Sequence, residues 1–340
     1  MGGNALTIAK TRRYQKEEYL DILIEVRTML NNKGIVSEIP KWYSNKENFG
    51  DLDVLIKSST INGNILDIIN QLFKPSEVYN NNGVISFDYK EFQIDFIMTS
   101  DDKWETSINY FSYNDLGNLI GRISYQMGFR FGHFGLKFVY LHDKGGRKTS
   151  KIISKNPRKI YEFLGFDYDR YLKGFNDLED IFKFVANSRY FNRNIFNYDN
   201  LNHQNRTRNK KRKNYELFLD YIKTNKDILF IDYEFKTKEF YINEAEKFFG
   251  VELNNLVNEF NYRVERERLA SEKFNGHIIM EKYGFKGKEI GIAINNFYEH
   301  INSFYSVSDK DILRNLRTNY INSADIDVLY EIFERVNNIK

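Results

Sequence analysis

The spacing of apolar residues changes along the chain. From Tyr14, the stretch YQKEEYLDILIEVRTML places Tyr19, Ile22, Leu23, Val26, Met29 and Leu30 on one helical face, and Gly34 ends it. IVSEIPKWY and DLDVLIK then read as strands, and NGNILDIINQLF as a short helix. GVISFDYK and EFQIDFIM read as the two arms of a β-hairpin. DLGNLIGRISYQMG predicts a helix and leads into a run of glycines and aromatics, FRFGHFGLKFVYL. Asn156-Pro157 is a helix start, with Asn as the cap and Pro in the first turn. Helical periods then dominate, at 176–189, 209–224, 238–249, 252–271, 288–302 and 324–337, with DILFIDY as an isolated strand signal. The pattern predicts an α+β chain, with a mixed sheet and helices over 1–150 and a mostly helical domain over 151–340. GGRKTSK, Gly145 to Lys151, is the expected boundary.

Composition narrows the chemistry. There is no cysteine, so disulfides, thiolate catalysis and Cys-based zinc sites are excluded. His142, His203, His277 and His300 have no histidine partner at i,i+4, which argues against a zinc site. No apolar run is long enough to span a membrane, and MGGNALTIAKTRR lacks the apolar core of a signal peptide, so a cytoplasmic protein without a membrane partner is expected. The net charge of +3 is nearly balanced, but RTRNKKRK, Arg206 to Lys213, concentrates six cations in eight residues. A solvated helix start and a phosphate-contacting patch both account for such a run.

The stretch FGDLDVLIK raises the question of chemistry. Strand side chains alternate, so Leu52, Val54 and Ile56 share one face and Asp51, Asp53 and Leu55 the other. Two carboxylates side by side at the start of an apolar strand repel unless a cation lies between them. Gly50, just before, permits a tight bend or close approach of a ligand. In FQIDFIMTS, Asp95 points opposite to Ile94 and Phe96; if that strand neighbours 51–57, it joins the pair, with Asp88 as the nearest rival. Three carboxylates make a hard oxygen site suited to Mg²⁺, which retains waters and binds substrate phosphates.

A glycine followed by a D-x-D strand and a later strand carrying one acid resembles the DNA polymerase β-like nucleotidyltransferase superfamily, over about residues 35–100. The resemblance implies a nucleotidyltransferase-like palm at the N-terminus. It also implies two Mg²⁺ ions at Asp51, Asp53 and Asp95, an NTP substrate, and in-line attack of an acceptor hydroxyl on the α-phosphate. The family's Gly-Ser or Gly-Gly turn lies about a dozen residues before its acids. YSNKENF occupies that place here, offering Ser44 and Lys46 as nucleotide ligands alongside Gly50. Gly2-Gly3 is the earlier glycine pair, which a folded-back N-terminus would have to supply.

A second segment, FNGHIIMEKYGFKGKEIGIAINNF, resembles part of the helical body of CCA-adding and bacterial poly(A) polymerase-type enzymes through Asn275, Gly276, Met280, Gly284, Gly287, Ile290 and Gly291. Gly284 and Gly287 should bracket a turn between two helices, the second beginning at Lys288, whose N–H groups would hold a phosphate, with Gly291 allowing close helix packing. An ordinary helical hairpin shares this turn chemistry. In FRFGHFGLKF, Arg130 and His133 are candidates for contact with a base or phosphate, against a bent strand packing its aromatics.

The expected function is transfer of NMP from an NTP to an acceptor hydroxyl, with an RNA or DNA 3′ end as acceptor. Arg206, Arg208, Lys210, Lys211, Arg212, Lys213 and Lys288 would contact nucleic acid from a separate domain. Transfer to a small molecule or protein, and a non-catalytic nucleic-acid-binding module, are the alternatives. The nucleotide, template use and oligomeric state stay open.

Overall fold

The computed structural model describes residue 3 and residues 5–142, 146–225 and 232–339. The chain is α+β and divides into two compact units, one of 1–140 with 150–251 and the other of 141–149 with 252–340. The division expected near 150 falls elsewhere, because the helices between 157 and 249 belong to the same unit as the sheet. Gly145 of the expected boundary and most of DILFIDY lie outside the described residues.

The first unit opens with β1 (Tyr14–Gln15) and α1 (Lys16–Asn32). Glu18 accepts the Gln15 N–H at 3.0 Å, satisfying one free donor of the helix start. The predicted stripe is the buried one: Tyr19, Ile22, Leu23, Val26 and Leu30 face inward. Then come β2 (Ser37–Glu38), β3 (Asn48–Phe49), β4 (Asp51–Lys57), α2 (Ile65–Phe73), β5 (Val78–Asn81), β6 (Val84–Tyr89) and β7 (Phe92–Thr99). IVSEIPKWY forms a strand only at Ser37–Glu38.

The main sheet has the order β2-β4-β7-β6-β5. β6 and β7 form the expected hairpin through Lys90 and Glu91, both at positive φ. β7 then lies parallel to β4. Leu52, Val54, Ile56, Ile94 and Phe96 are fully buried and pack with α1 and α2 into one core. This core fixes the strand register, because a slip of one residue would turn the apolar set outward.

After the sheet come α3 (Trp104–Phe111) and α4 (Leu116–Gln126), then β8 (Phe129–Gly132), β9 (Gly135–Leu141) and β10 (Lys148–Ser154). The glycine-aromatic run is thus a hairpin turning at His133-Phe134, not one bent strand, and its aromatics Phe129, Phe131 and Phe138 are buried. Helices α5 (Pro157–Phe163), α6 (Tyr168–Leu172), α7 (Leu178–Ala186), α8 (His203–Asn209), α9 (Lys213–Thr224) and α10 (Lys238–Phe249) complete the unit. Asn156 caps α5 as predicted, accepting the Lys159 N–H at 3.0 Å.

The second unit contains α11 (Asn254–Lys273), α12 (Gly276–Tyr283), α13 (Lys288–Asn302), α14 (Lys310–Ser323) and α15 (Ile326–Val336). Phe274, Phe297, Ile301, Ile321, Leu329 and Phe333 form its core. Gly284 and Gly287 adopt positive φ in the turn between α12 and α13, as their spacing predicts. Gly291 does not serve close packing, since a side chain added there would meet open space. Among the described residues, no helix is long and apolar enough to cross a membrane.

Candidate metal centre and basic cavity

β4 and β7 run parallel with Asp53 opposite Asp95 and Asp51 opposite Gln93. On the other side of β7, Ser86 stands opposite Asp95 and Asp88 opposite Gln93. Two polar rows therefore cross the sheet on one face, Ser86–Asp95–Asp53 and Asp88–Gln93–Asp51. The opposite face is the apolar core, so alternation alone separates acids from hydrocarbon. One carboxylate oxygen from each of Asp51, Asp53 and Asp95 lies within 4.8 Å of the others. Among the described residues, no other group of three acids or histidines is so placed.

The electrostatics of this cluster are unfavourable for three bare anions. Burial raises the Asp53 pKa far above the ordinary range, and the neighbouring Asp51 and Asp95 raise it further. Burial raises Asp51 too, opposed by the Lys46 cation and by the Gly3 N–H, which donates to Asp51 Oδ2 at 3.0 Å. Asp95 is pushed up to about 6, mainly by burial, against hydrogen bonds from Ser86 and Gln93. Gln93 Nε2 donates to both Asp95 oxygens, at 2.9 and 3.0 Å. A cation among the three oxygens would relieve these costs, and an all-oxygen donor set fits Mg²⁺ or Mn²⁺. Asp88 is differently employed: it accepts the Glu77 N–H at 2.7 Å and the Ser76 hydroxyl at 2.9 Å.

Asp51 and Asp53 face a cavity of about 1320 Å³ within the first unit. One wall is aromatic: Tyr19 stacks on Phe49 at 3.7 Å, and Trp42 meets both rings edge-on. Lys46 lies on this wall, its Nζ 4.3 Å from the centre of the Phe49 ring and 3.4 Å from Asn114 Oδ1. Burial lowers the Lys46 pKa, while Asp51 and Asp53 oppose that shift. Gly50 also lines the cavity. Ser44 does not; its N–H and hydroxyl both donate to the Phe175 carbonyl, so it anchors the loop.

The basic run lines the same cavity. Arg208 of α8, Lys211 and Arg212 of the turn that follows, and Lys213 of α9 reach it, with His203 beside them, while Arg13 and Lys41 lie elsewhere on its lining. This corrects the expectation that the run belongs to a separate domain. It also divides the six cations. Arg212 is ion-paired with Asp115, Arg206 donates to the Leu201 carbonyl at 3.0 Å, and Lys210 lies near the Tyr198 ring. Of the six, Arg208, Lys211 and Lys213 are the exposed cations that face the cavity. The apolar face of α9 buries Tyr215, Phe218, Tyr221 and Ile222, but Leu217 is exposed on the cavity lining.

Other candidates sit apart. Arg130 is exposed on β8 opposite Lys137, and His133 stacks on Phe111 at 5.9 Å; neither lines the cavity. Lys288 opens α13 in the second unit. Asn275 caps α12, accepting the N–H groups of His277 and Ile278. Sequence reasoning missed Arg13 and Lys41, which depend on distant parts of the chain meeting; the folded-back N-terminus it raised does bring Gly3 against Gly50 and Asp51. No protein-family model matches this chain, and no curated protein matches it.

Proposed function

We propose that this protein is a metal-dependent nucleotidyltransferase that moves NMP from an NTP to an acceptor hydroxyl, with a nucleic-acid 3′ end as acceptor. The observation that carries the reading is the shared cavity: Asp51 and Asp53 of a three-carboxylate cluster face the same space as Arg208, Lys211 and Lys213. Acids alone fit a cation, and cations alone fit any anion. Both on one cavity fit a substrate whose phosphates need metal and protein charge together.

Asp51, Asp53 and Asp95 would hold Mg²⁺, which supplies Lewis-acid charge at the reacting phosphate and lowers the pKa of the acceptor hydroxyl. The chain's own groups do the rest. Lys46, beside the acids, neutralises phosphate charge. Arg208, Lys211 and Lys213 hold the backbone of the acceptor strand so that its terminal oxygen meets the α-phosphorus in line. The new bond joins that oxygen to the α-phosphorus, the bond to the pyrophosphate oxygen breaks, and pyrophosphate leaves. The hydroxyl proton passes to a carboxylate of the cluster. The cavity exceeds the roughly 300–1,000 Å³ of common small-ligand pockets, which favours two substrates bound together.

The test is incubation with each labelled NTP, Mg²⁺ and pooled RNA or DNA, with Asp53→Asn as control. Label joined to polynucleotide by the unaltered protein, and not by the variant, supports the reading. Absence of Mg²⁺-dependent NTP binding would remove it. Transfer to a small molecule alone would change the acceptor and leave the chemistry.

A further inference from the structure

The segment Gly3–Ala9 contains no described helix or strand, yet five of its N–H groups donate to three side chains elsewhere in the first unit. Gly3 donates to Asp51 Oδ2 at 3.0 Å, and Ala5 to Gln93 Oε1 at 2.9 Å. Thr7, Ile8 and Ala9 converge on the Glu77 carboxylate at 2.7–3.0 Å, joined by the Thr7 hydroxyl at 3.2 Å. These bonds hold the Glu77 carboxyl at about 2, so it stays ionised wherever the protein is folded near neutrality. Gly3 has φ +83°, and a Cβ there would lie 2.2 Å from the Gly50 carbonyl oxygen. The segment therefore rests directly on the turn that enters β4.

Each of the first two contacts ends at the acid cluster. The Gly3 N–H occupies one oxygen of Asp51 and fixes the carboxylate plane. The Ala5 contact acts through Gln93, which is almost wholly buried. A side-chain amide has one accepting and one donating end, and the Ala5 N–H requires the accepting end. The Gln93 NH₂ must then face Asp95, where it holds both oxygens. Asp95, which can only accept, selects the same amide orientation, so Ala5 and Asp95 hold Gln93 from its two ends and loss of Ala5 removes one of the two.

We infer that Gly3 and Ala5–Ala9 act as a positioning strap for the acid cluster and that Glu77 is its clasp, so that release at Glu77 weakens divalent-cation binding at Asp51, Asp53 and Asp95. The inference rests on the reading that these acids bind such cations. Glu77 is outside the cluster and does not line the cavity.

The experiment is a Mn²⁺ titration of the full chain without nucleotide, followed by electron paramagnetic resonance well below the melting midpoint. Amide exchange over residues 5–9 is measured in parallel. In Glu77→Gln, these amides should exchange faster and Mn²⁺ should bind about 10-fold more weakly, the scale on which partners behind metal ligands act. If Gln keeps the segment in place, deletion of residues 3–9 should give the same loss. A clasp serving stability alone would lower the melting midpoint and leave the Mn²⁺ affinity unchanged. Unchanged affinity with the segment released or deleted overturns the inference and leaves the acid-site reading intact. If the unaltered protein shows no saturable Mn²⁺ binding, both fall. Binding that is lost in Asp53→Asn but unchanged in Glu77→Gln with its segment released removes only the strap.

Discussion

Asp53 and Asp95 face each other across a parallel strand pair, in direct register, with no cationic side chain among the described residues hydrogen-bonded to either. Relief comes from the Ser86 hydroxyl and the Gln93 amide at Asp95, and from the charge of Lys46 at Asp53. A parallel pair brings both side chains to one face without a turn, and so concentrates charge where the sheet is most buried.

Removing one charge should therefore stabilise the cation-free protein while ending transfer. Asp95 titrates near 6 when folded and near 3.8 when unfolded. Above pH 6 both forms are ionised and the folded state bears the repulsion. As pH falls through 6, the folded state takes up a proton first and gains stability, until the unfolded chain also titrates near pH 4. Asp95→Asn should melt a few degrees higher at pH 7–8, at about 2–4 °C per kcal/mol for a unit of this size. The gain should shrink below pH 6 and vanish near pH 4. Melting curves across pH without divalent cations check this; an unchanged or lower midpoint at pH 8 would contradict it.

The same titration sets the pH dependence of cation binding. Protons and cations compete for the carboxylates, so stabilisation by Mg²⁺ should be full at pH 8 and decline below pH 6. For competition by a single proton, the apparent affinity falls about tenfold per pH unit. Melting shifts with and without Mg²⁺ measure it, and a shift independent of pH between 5 and 8 would place the cation elsewhere.

Asp88 provides a contrast with Asp95. Asn can still accept the Glu77 N–H, so Asp88→Asn should keep Mn²⁺ affinity within about twofold, below the 10–100-fold seen for groups that support metal ligands. Asp95→Asn should lose most of it. Equal losses in the two variants would mean that Asp88 serves the site directly.

The basic run should separate by role. Replacing Arg208, Lys211 and Lys213 with Gln should weaken polynucleotide binding and flatten its logarithmic salt slope by about 2–3, at 0.7–0.9 per lost phosphate contact. Because these cations share the acids' cavity, NTP affinity should fall as well. Arg212→Gln leaves Asp115 without its ion-pair partner and should lower the melting midpoint. A triple variant with unaltered binding and salt slope would make these cations a solvated surface.

Much of this architecture was legible in the chain itself. Alternation in DLDVLIK and FQIDFIM separated acids from core residues, and the helical stripe of α1 needed only its spacing. The turn between α12 and α13 followed from two glycines. Other features are properties of contacts between distant segments. Nothing within RTRNKKRK reveals that Asp115 pairs with Arg212, so six like charges read as equivalent. Helix α14 was missed although Leu313, Leu316, Tyr320 and Ile321 stand at helical spacing in KDILRNLRTNYINS. The boundary was misplaced because helices α5 to α10 look like a new domain in sequence, although they belong to the sheet's unit.

The parallel register of β4 and β7 also acts as a proofreading device for the acid cluster. Side chains alternate, so a slip of β7 by one residue would drive Asp95 into the hydrocarbon around Leu52, Val54 and Ile56 and bring Ile94 or Phe96 out among the acids. No such misregistered chain can be both compact and charged in the right place. Core residues thus decide which folded molecules carry the acid cluster, and substitutions deep in that core should weaken divalent-cation binding before they unfold the chain.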